Sequence, residues 1–212
     1  AIIMQKSGIP DIDQANCMIK LESDGTFIVH SGGADSGTGL DTVVTKLAAE
    51  VLHCPPQDVH VISGDTDHAL FDKGAYASSG TCFSGNAARL AAENLREKIL
   101  FHGAQILGEP VADVQLATPG VVRGKKGEVS FGEIAHKGET GTGFGSLVGT
   151  GSYITPDFAF PYGANFAEVA VNTRTGEIRL DKFYALLDCG TPVNPELALG
   201  HIYGATLRAI GH

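Results

Sequence analysis

The groups best placed to do chemistry sit in three stretches rich in Gly, Ser and Thr: residues 31–40, 74–81 and 188–195. Each runs into a predicted helix. Backbone N–H groups at a helix start have no intrahelical partner and attract anionic oxygen, and small side chains let a ligand approach the main chain. Three such loops in 212 residues point to a large anionic ligand held mainly by backbone.

Other constellations argue for less. Asp65, Asp67 and His68 form an acidic cluster after a short strand, which reads either as a metal site or as an Asx-type turn that fixes the loop. Ser78, Ser79 and Thr81 include no neighbouring His or Lys that would activate a nucleophile, so they read as donors to a ligand. Residues 37–42 (Gly-Thr-Gly-Leu-Asp-Thr) approach G-x-G-x-x-G but end in Thr, after a hairpin arm rather than the first strand of a βαβ unit. No P-loop and no G-x-S-x-G elbow occurs. Cys17, Cys54, Cys82 and Cys189 are scattered without a C-x-x-C, which reads as four buried or half-buried thiols in a reducing compartment and not as a zinc or iron–sulfur site.

Several elements must position these loops. Residues 17–30 pattern as a hairpin turning at Ser23-Asp24-Gly25, and residues 42–52 as an amphipathic helix capped by Asp41 or Thr42. Residues 59–62 read as a strand. A second helix is expected from near Ser84, with Ala87, Ala88, Ala91, Leu95, Ile99 and Leu100 buried and Gly103 as its end. Residues 111–117 and 121–131 read as short strands, and 131–136 as a short helix. His53, His60, His102 and His136 read as surface residues. Residues 137–152 contain six Gly and read as a mobile surface loop or a substrate-access loop. Residues 166–188 form a second hairpin, followed by a helix with Asn194 as N-cap and Pro195 at its first position.

The succession hairpin, glycine loop, helix thus occurs at both ends of the chain. It predicts an α+β fold of two-layer lobes built from duplicated hairpin–loop–helix units. The expected divisions are residues 1–135 as a first lobe, 136–152 as a glycine-rich loop and 153–212 as a second repeat.

Composition narrows the partners. The formal net charge of −9 has no basic block, which argues against nucleic acid. No apolar run approaches the ~20 residues of a membrane span, and no secretory leader is visible. The chain opens without Met and stops inside a predicted helix, so a piece of a longer polypeptide is expected.

The ordered series resembles the molybdenum-binding subunit of the xanthine dehydrogenase and aldehyde oxidase family. The likeness is carried by residues 37–42, Ala48-Ala49-Glu50, Gly64-Asp65-Thr66, residues 77–81, Gly85-Asn86-Ala87, residues 168–177, residues 188–195 and residues 200–205. It implies a molybdopterin cofactor, in bacteria commonly the cytosine dinucleotide form, and hydroxylation of a purine, another N-heterocycle or an aldehyde. It also implies iron–sulfur and FAD domains or subunits as partners alongside the remaining lobes, and a cytoplasmic location. By the same resemblance, Gly37, Thr38, Gly39 and Leu40 match one cofactor-contacting loop, and Ala77, Ser78 and Ser79 match another. His201 stands at a third contact.

Family members often carry Gln where Thr38 and His201 stand. There a hydroxyl replaces one amide, and an imidazole able to donate one hydrogen bond replaces the other. The family's catalytic Glu, its upstream glycine-rich motif and its substrate-pocket residues fall outside this chain, so the chain alone is expected to be inactive. Two rival readings make different demands. A non-catalytic module for a phosphate-bearing ligand would have a closed surface, whereas the hydroxylase reading expects an exposed apolar face. A nicotinamide dehydrogenase would need a parallel doubly wound sheet, which the hairpins oppose.

Overall fold

The computed structural model describes residues 1–140 and 143–211. In chain order its elements are β1 (Ile2–Met4), β2 (Ala15–Leu21), β3 (Phe27–Ser31), α1 (Leu40–Leu52), β4 (Val59–Ser63), α2 (Gly80–Leu107), β5 (Gln115–Ala117), β6 (Val121–Arg123), β7 (Glu128–Ser130), α3 (Phe131–Glu139), β8 (Val148–Tyr153), β9 (Tyr162–Val171), β10 (Ile178–Asp188) and α4 (Pro195–Ile210). They form a large unit, Gly8–Asp157, and a small unit, Ala1–Ser7 with Phe158–His212.

The large unit is a two-layer α+β sandwich. Its main sheet runs β4-β3-β2-β8, antiparallel except for the parallel β3–β4 pair. Alternation puts Cys17, Ile19, Leu21, Phe27 and Val29 on one face, all buried under α1 and α2. β3 is therefore both a hairpin arm and the first strand of a βαβ crossover through α1, contrary to the expectation that it is only the former. One parallel pair in a mixed sheet is still not a doubly wound dinucleotide fold.

Helix α2 starts at Gly80 and runs to Leu107, with Gly108 as its left-handed C-cap, so it is longer than expected and does not end at Gly103. Gly103 is interior because a Cβ there would lie 2.7 Å from the Val122 side chain, so glycine lets β6 approach the helix. A second small sheet, β5-β6-β7, and α3 close this end. Residues 111–113 form a 3₁₀ turn where a strand was expected. Ser130 and Glu133 form a capping box at the start of α3.

The glycine-rich residues 137–152 are not one loop. They hold the end of α3 and most of β8, while residues 141 and 142 lie outside the described residues. Gly149 and Gly151 belong to β8 because it lies against α2: a Cβ at either would meet the carbonyl oxygen of Ala91 or Ala87 at 2.3 Å. In the same segment Phe144 stacks on His102 with ring centroids 3.6 Å apart. His102 is thus partly buried, unlike the exposed His53, His60 and His136, and burial pulls its pKa down against a hydrogen bond with Gln105.

The small unit has the sheet order β1-β9-β10, all antiparallel, and helix α4. Asn194 caps α4 through the Leu197 N–H, and Pro195 opens it. None of β9, β10 or α4 contains a buried residue. Phe166, Tyr184 and Leu186 of the hairpin and Tyr203 and Leu207 of α4 are all exposed.

Candidate functional site

The first two glycine loops converge in the large unit. They follow the C-terminal ends of the adjacent parallel strands β3 and β4, where an α/β crossover leaves a crevice. Contact between them depends on missing side chains. A Cβ on Gly32 would meet the Leu70 carbonyl oxygen at 2.3 Å, and one on Gly33 would meet Leu40 and Ser84 at 2.8 Å. Leu40 opens α1 and Gly80 opens α2, and a Cβ on Gly80 would touch Leu40 at 3.5 Å. Two helix starts, each the positive end of a dipole, therefore stand side by side.

The two starts differ in how their N–H groups are used. At α1 the N-cap is Gly39 with φ 77°, and neither Asp41 nor Thr42 caps the helix as expected. Asp35 does this from four residues upstream. Its Oδ1 accepts from Gly37 N–H at 2.9 Å and Gly39 N–H at 3.1 Å, and its Oδ2 accepts from Asp41 N–H at 3.2 Å. Slight burial opposes ionisation of Asp35, and the backbone N–H bonds outweigh it, so its pKa falls below the usual carboxylate value. The chain's own carboxylate therefore fills the position that free N–H groups were expected to offer an anion.

At α2 no side-chain cap is present among the described residues, and no acidic residue lies in the first turn. The approach is strained: Ala77 and Ser78 both have positive φ, 49° and 56°. Such a pair costs roughly 1–2 kcal/mol per residue and persists only where surroundings enforce it. The surroundings are visible. Gly8 N–H donates to the Ala77 carbonyl at 2.7 Å, and Ser79 N–H donates to Tyr76. The buried Asp13 carboxylate faces the Tyr76 phenol and pushes its ionisation up.

The sequence-derived residues therefore fall into groups. Gly37 and Thr38 are exposed on the loop before α1, and Gly39 is partly so. Leu40 is buried and supports the two helix starts from beneath. Ala77 and Ser78 are exposed beside the start of α2. Ser79 was expected to offer its hydroxyl to a ligand. Instead it is buried, and the hydroxyl donates to the Gly74 carbonyl at 3.2 Å. His201 is exposed on α4 in the small unit.

Asp65 acts as a turn former, accepting from Asp67 N–H at 2.9 Å and pairing with His68 at the same distance. Among the described residues no group of three or more His, Cys, Asp or Glu could hold a metal ion. All four cysteines are free thiols; Cys17 and Cys54 are buried and Cys82 half-buried as expected, whereas Cys189 is exposed.

A recurring device went unread in the sequence. Each glycine loop contains or is entered through an Asp-x-Gly, and in each the Asp accepts from the N–H of a glycine with positive φ. The pairs are Asp35 with Gly37, Asp72 with Gly74 at 2.7 Å, and Asp188 with Gly190 at 3.0 Å. Asp72 also accepts from the Ser84 hydroxyl at 2.9 Å, tying the second loop to α2. The threefold Asp-x-Gly was the available signal.

A sequence model of the molybdopterin cofactor-binding domain matches residues 1–212. The chain is 98% identical, over its full length, to 22% of an Escherichia coli K12 protein described as a probable hypoxanthine oxidase, XdhD. Over 94% of the chain it is 31% identical to 27% of a putative xanthine dehydrogenase molybdenum-binding subunit, XdhA, of the same organism. It thus spans about a quarter of these curated relatives' length. Among solved structures, CO dehydrogenase from Oligotropha carboxidovorans covers 96% of the chain with a TM-score of 0.85 and 25% identity, over 27% of its own length. Quinoline 2-oxidoreductase from Pseudomonas putida 86 covers the same share with a TM-score of 0.84 and 26% identity, over 28% of its length. The match over all 212 residues and the shared α+β architecture lead to one conclusion: the chain belongs to the molybdopterin cofactor-binding domain family.

Proposed function

We propose that this chain supplies part of the cradle for a molybdopterin cofactor, in its cytosine dinucleotide form, within a larger cytoplasmic molybdenum hydroxylase. The observation that carries this reading is the pairing of an open helix start with a closed one. The α2 start, lacking a side-chain cap and entered through strained Ala77 and Ser78, has backbone donors suited to phosphate oxygens. The neighbouring loop is held rigid by Asp35, so Gly37, Thr38 and Gly39 present a fixed edge at low ordering cost. Leu40 and Ser79 act from beneath as positioning residues. Thr38 offers a hydroxyl, and His201 an imidazole, at positions where the family resemblance implies an amide.

When bound, the molybdenum group supplies oxidative hydroxylation of an electron-poor carbon. This chain's part is to bind and orient the group, while the base and the substrate pocket come from elsewhere in the protein. The hypoxanthine oxidase description of the 98% identical protein favours a purine or related N-heterocycle over an aldehyde. The exposed apolar surface of the small unit suits burial by further lobes, and electron transfer calls for iron–sulfur and FAD partners. Among the described residues no helix is long and apolar enough to cross a membrane.

The test is chemical. Acid hydrolysis of the cofactor from the full-length protein should release CMP, and a substrate panel should give hydroxylated purine in preference to carboxylic acid from aldehydes. Absence of a released nucleotide would remove the dinucleotide reading, and turnover confined to aldehydes would remove the purine one.

A further inference from the structure

We propose that Asp13 is the positioning residue of the second glycine loop, anchoring Tyr76 and Ala77 so that the turn leading into α2 keeps its left-handed form. The Tyr76 carbonyl accepts from Ser79 N–H at 3.0 Å, and the two residues between them, Ala77 and Ser78, both have positive φ. That is the pattern of a type I′ turn, which Asn-Gly or Gly-Gly adopts readily and Ala-Ser does not. Residue type does not favour the turn, so the contacts around it must hold it.

Those contacts come from residues 8–16, and Asp13 organises them. Its side chain is buried, with 2% exposed. Its Oδ2 accepts from Ile9 N–H at 2.7 Å, and its own N–H donates to the Ile9 carbonyl at 2.8 Å, so it closes residues 9–13 into a turn from both sides. Gly8, at the mouth of that turn, donates to the Ala77 carbonyl at 2.7 Å. A Cβ on Gly8 would stand 2.3 Å from the Phe83 ring, so glycine lets this segment lie against the first turn of α2. Further along, the Gln14 carbonyl accepts from Lys73 N–H at 3.2 Å, and the Asn16 side-chain amide donates to the Phe71 carbonyl.

The second carboxylate oxygen of Asp13 singles out Tyr76. Oδ1 is shielded from solvent and makes no hydrogen bond among the described residues. A buried carboxylate oxygen left unbonded is costly, which favours any donor within reach. The Tyr76 phenol faces this carboxylate, which opposes ionisation of the phenol. Cys82, in the first turn of α2, lies close enough that Asp13 adds to burial in raising its thiol pKa. The carboxylate therefore reaches both the residue that begins the left-handed turn and the helix that follows it.

The consequence for metal rests on the cofactor reading above; the consequence for the turn does not. Residue-resolved hydrogen exchange on the full-length protein reads the turn at the amides of Ser79 and Gly8. Asp13→Ala should lower protection at both by about tenfold or more while the amides of β2 and β3 keep theirs. Tyr76→Phe, which leaves the turn at residues 9–13 intact, should lower protection at Ser79. Asp13→Asn keeps acceptors for Ile9 N–H and the phenol and should retain most of it. Adding Ala77→Asn with Ser78→Gly to Asp13→Ala should restore protection at Ser79, because those residues form the turn unaided. Unchanged protection in folded Asp13→Ala or Tyr76→Phe, an equal loss throughout β2 and β3, or no restoration would overturn the proposal. Molybdenum content should fall with Ser79 protection, and full retention in Asp13→Ala with a loosened turn would also overturn it. Wild-type protein without molybdenum would instead remove the cofactor reading and leave the exchange result to decide the role of Asp13.

Discussion

Replacing Asp35 tests whether its carboxylate organises the first glycine loop. In Asp35→Ala three backbone donors, those of Gly37, Gly39 and Asp41, lose their acceptor at the start of α1. Loss of a helix cap costs about 1–2 kcal/mol, and because these N–H groups sit near the surface and regain water, the full burial penalty is not reached. With a urea m-value of about 2 kcal/mol per M for a unit of this size, the midpoint should fall by about 0.5–1 M. Asp35→Asn keeps one acceptor oxygen but turns an NH₂ towards the Asp41 N–H, so about half that loss is expected.

The pH dependence has a definite sign. Asp35 has a folded pKa below its unfolded value near ~3.9, so its contribution is complete above that value and is lost as pH falls through the folded one. The gap between wild type and Asp35→Ala should hold from neutral pH down to about pH 4 and shrink steadily below it. Pulse-labelling hydrogen exchange in urea, read on peptides from Gly8–Asp157 of the full-length protein, isolates this unit. Equal midpoints at pH 7, or a gap that persists undiminished at pH 2, would refute the reasoning.

Further expectations follow from other contacts. Gly151→Ala places a methyl 2.3 Å from the Ala87 carbonyl oxygen, so it should destabilise the large unit by about 2–3 kcal/mol or abolish soluble expression. Gly176→Ala, at an exposed turn with φ 79° and nothing within 4 Å, should cost only about 1 kcal/mol by the same urea assay. Burial pushes the thiol pKa of Cys17 and of Cys54 up to about 12, the nearby Asp58 adding to the effect at Cys54. With a disulfide exchange reagent, Cys189, exposed in this chain, should react before either; fast labelling of Cys17 in the native protein would contradict the packing. His201→Gln should retain molybdenum in the full-length protein while His201→Ala loses part of it; equal content in both would remove the proposed hydrogen bond.

The hairpins, α1, β4 and α4 were legible because their signals are local. Alternation in residues 17–30, the apolar spacing from Val43 to Leu52, and Asn194-Pro195 each act within a few residues. The extent of α2 was not legible, since Gly80, Gly85 and Gly103 look like breakers and serve instead as places where Leu40, Leu47 and Val122 approach. β8 was read as loop for the same reason: Gly149 and Gly151 are set by contact with a helix some 60 residues earlier in the chain. In the glycine loops the sequence showed the helix starts but not what their backbone donors already bind. Free N–H groups were inferred for every helix start, whereas Asp35 had already closed one of them. Whether Ser79 faces a ligand depends on the turn made by Ala77 and Ser78, a strained conformation that residue identity does not encode.

Metal content tests most directly whether the open start of α2 helps hold a molybdenum cofactor, as proposed. The full-length protein, produced with its partner subunits in a cofactor-competent host, should contain near-stoichiometric molybdenum with pterin. Ala77→Val, which forces a β-branched residue into a left-handed position, should yield folded protein with most of that metal lost. Wild-type protein without molybdenum, or full metal retention in folded Ala77→Val, would contradict the account.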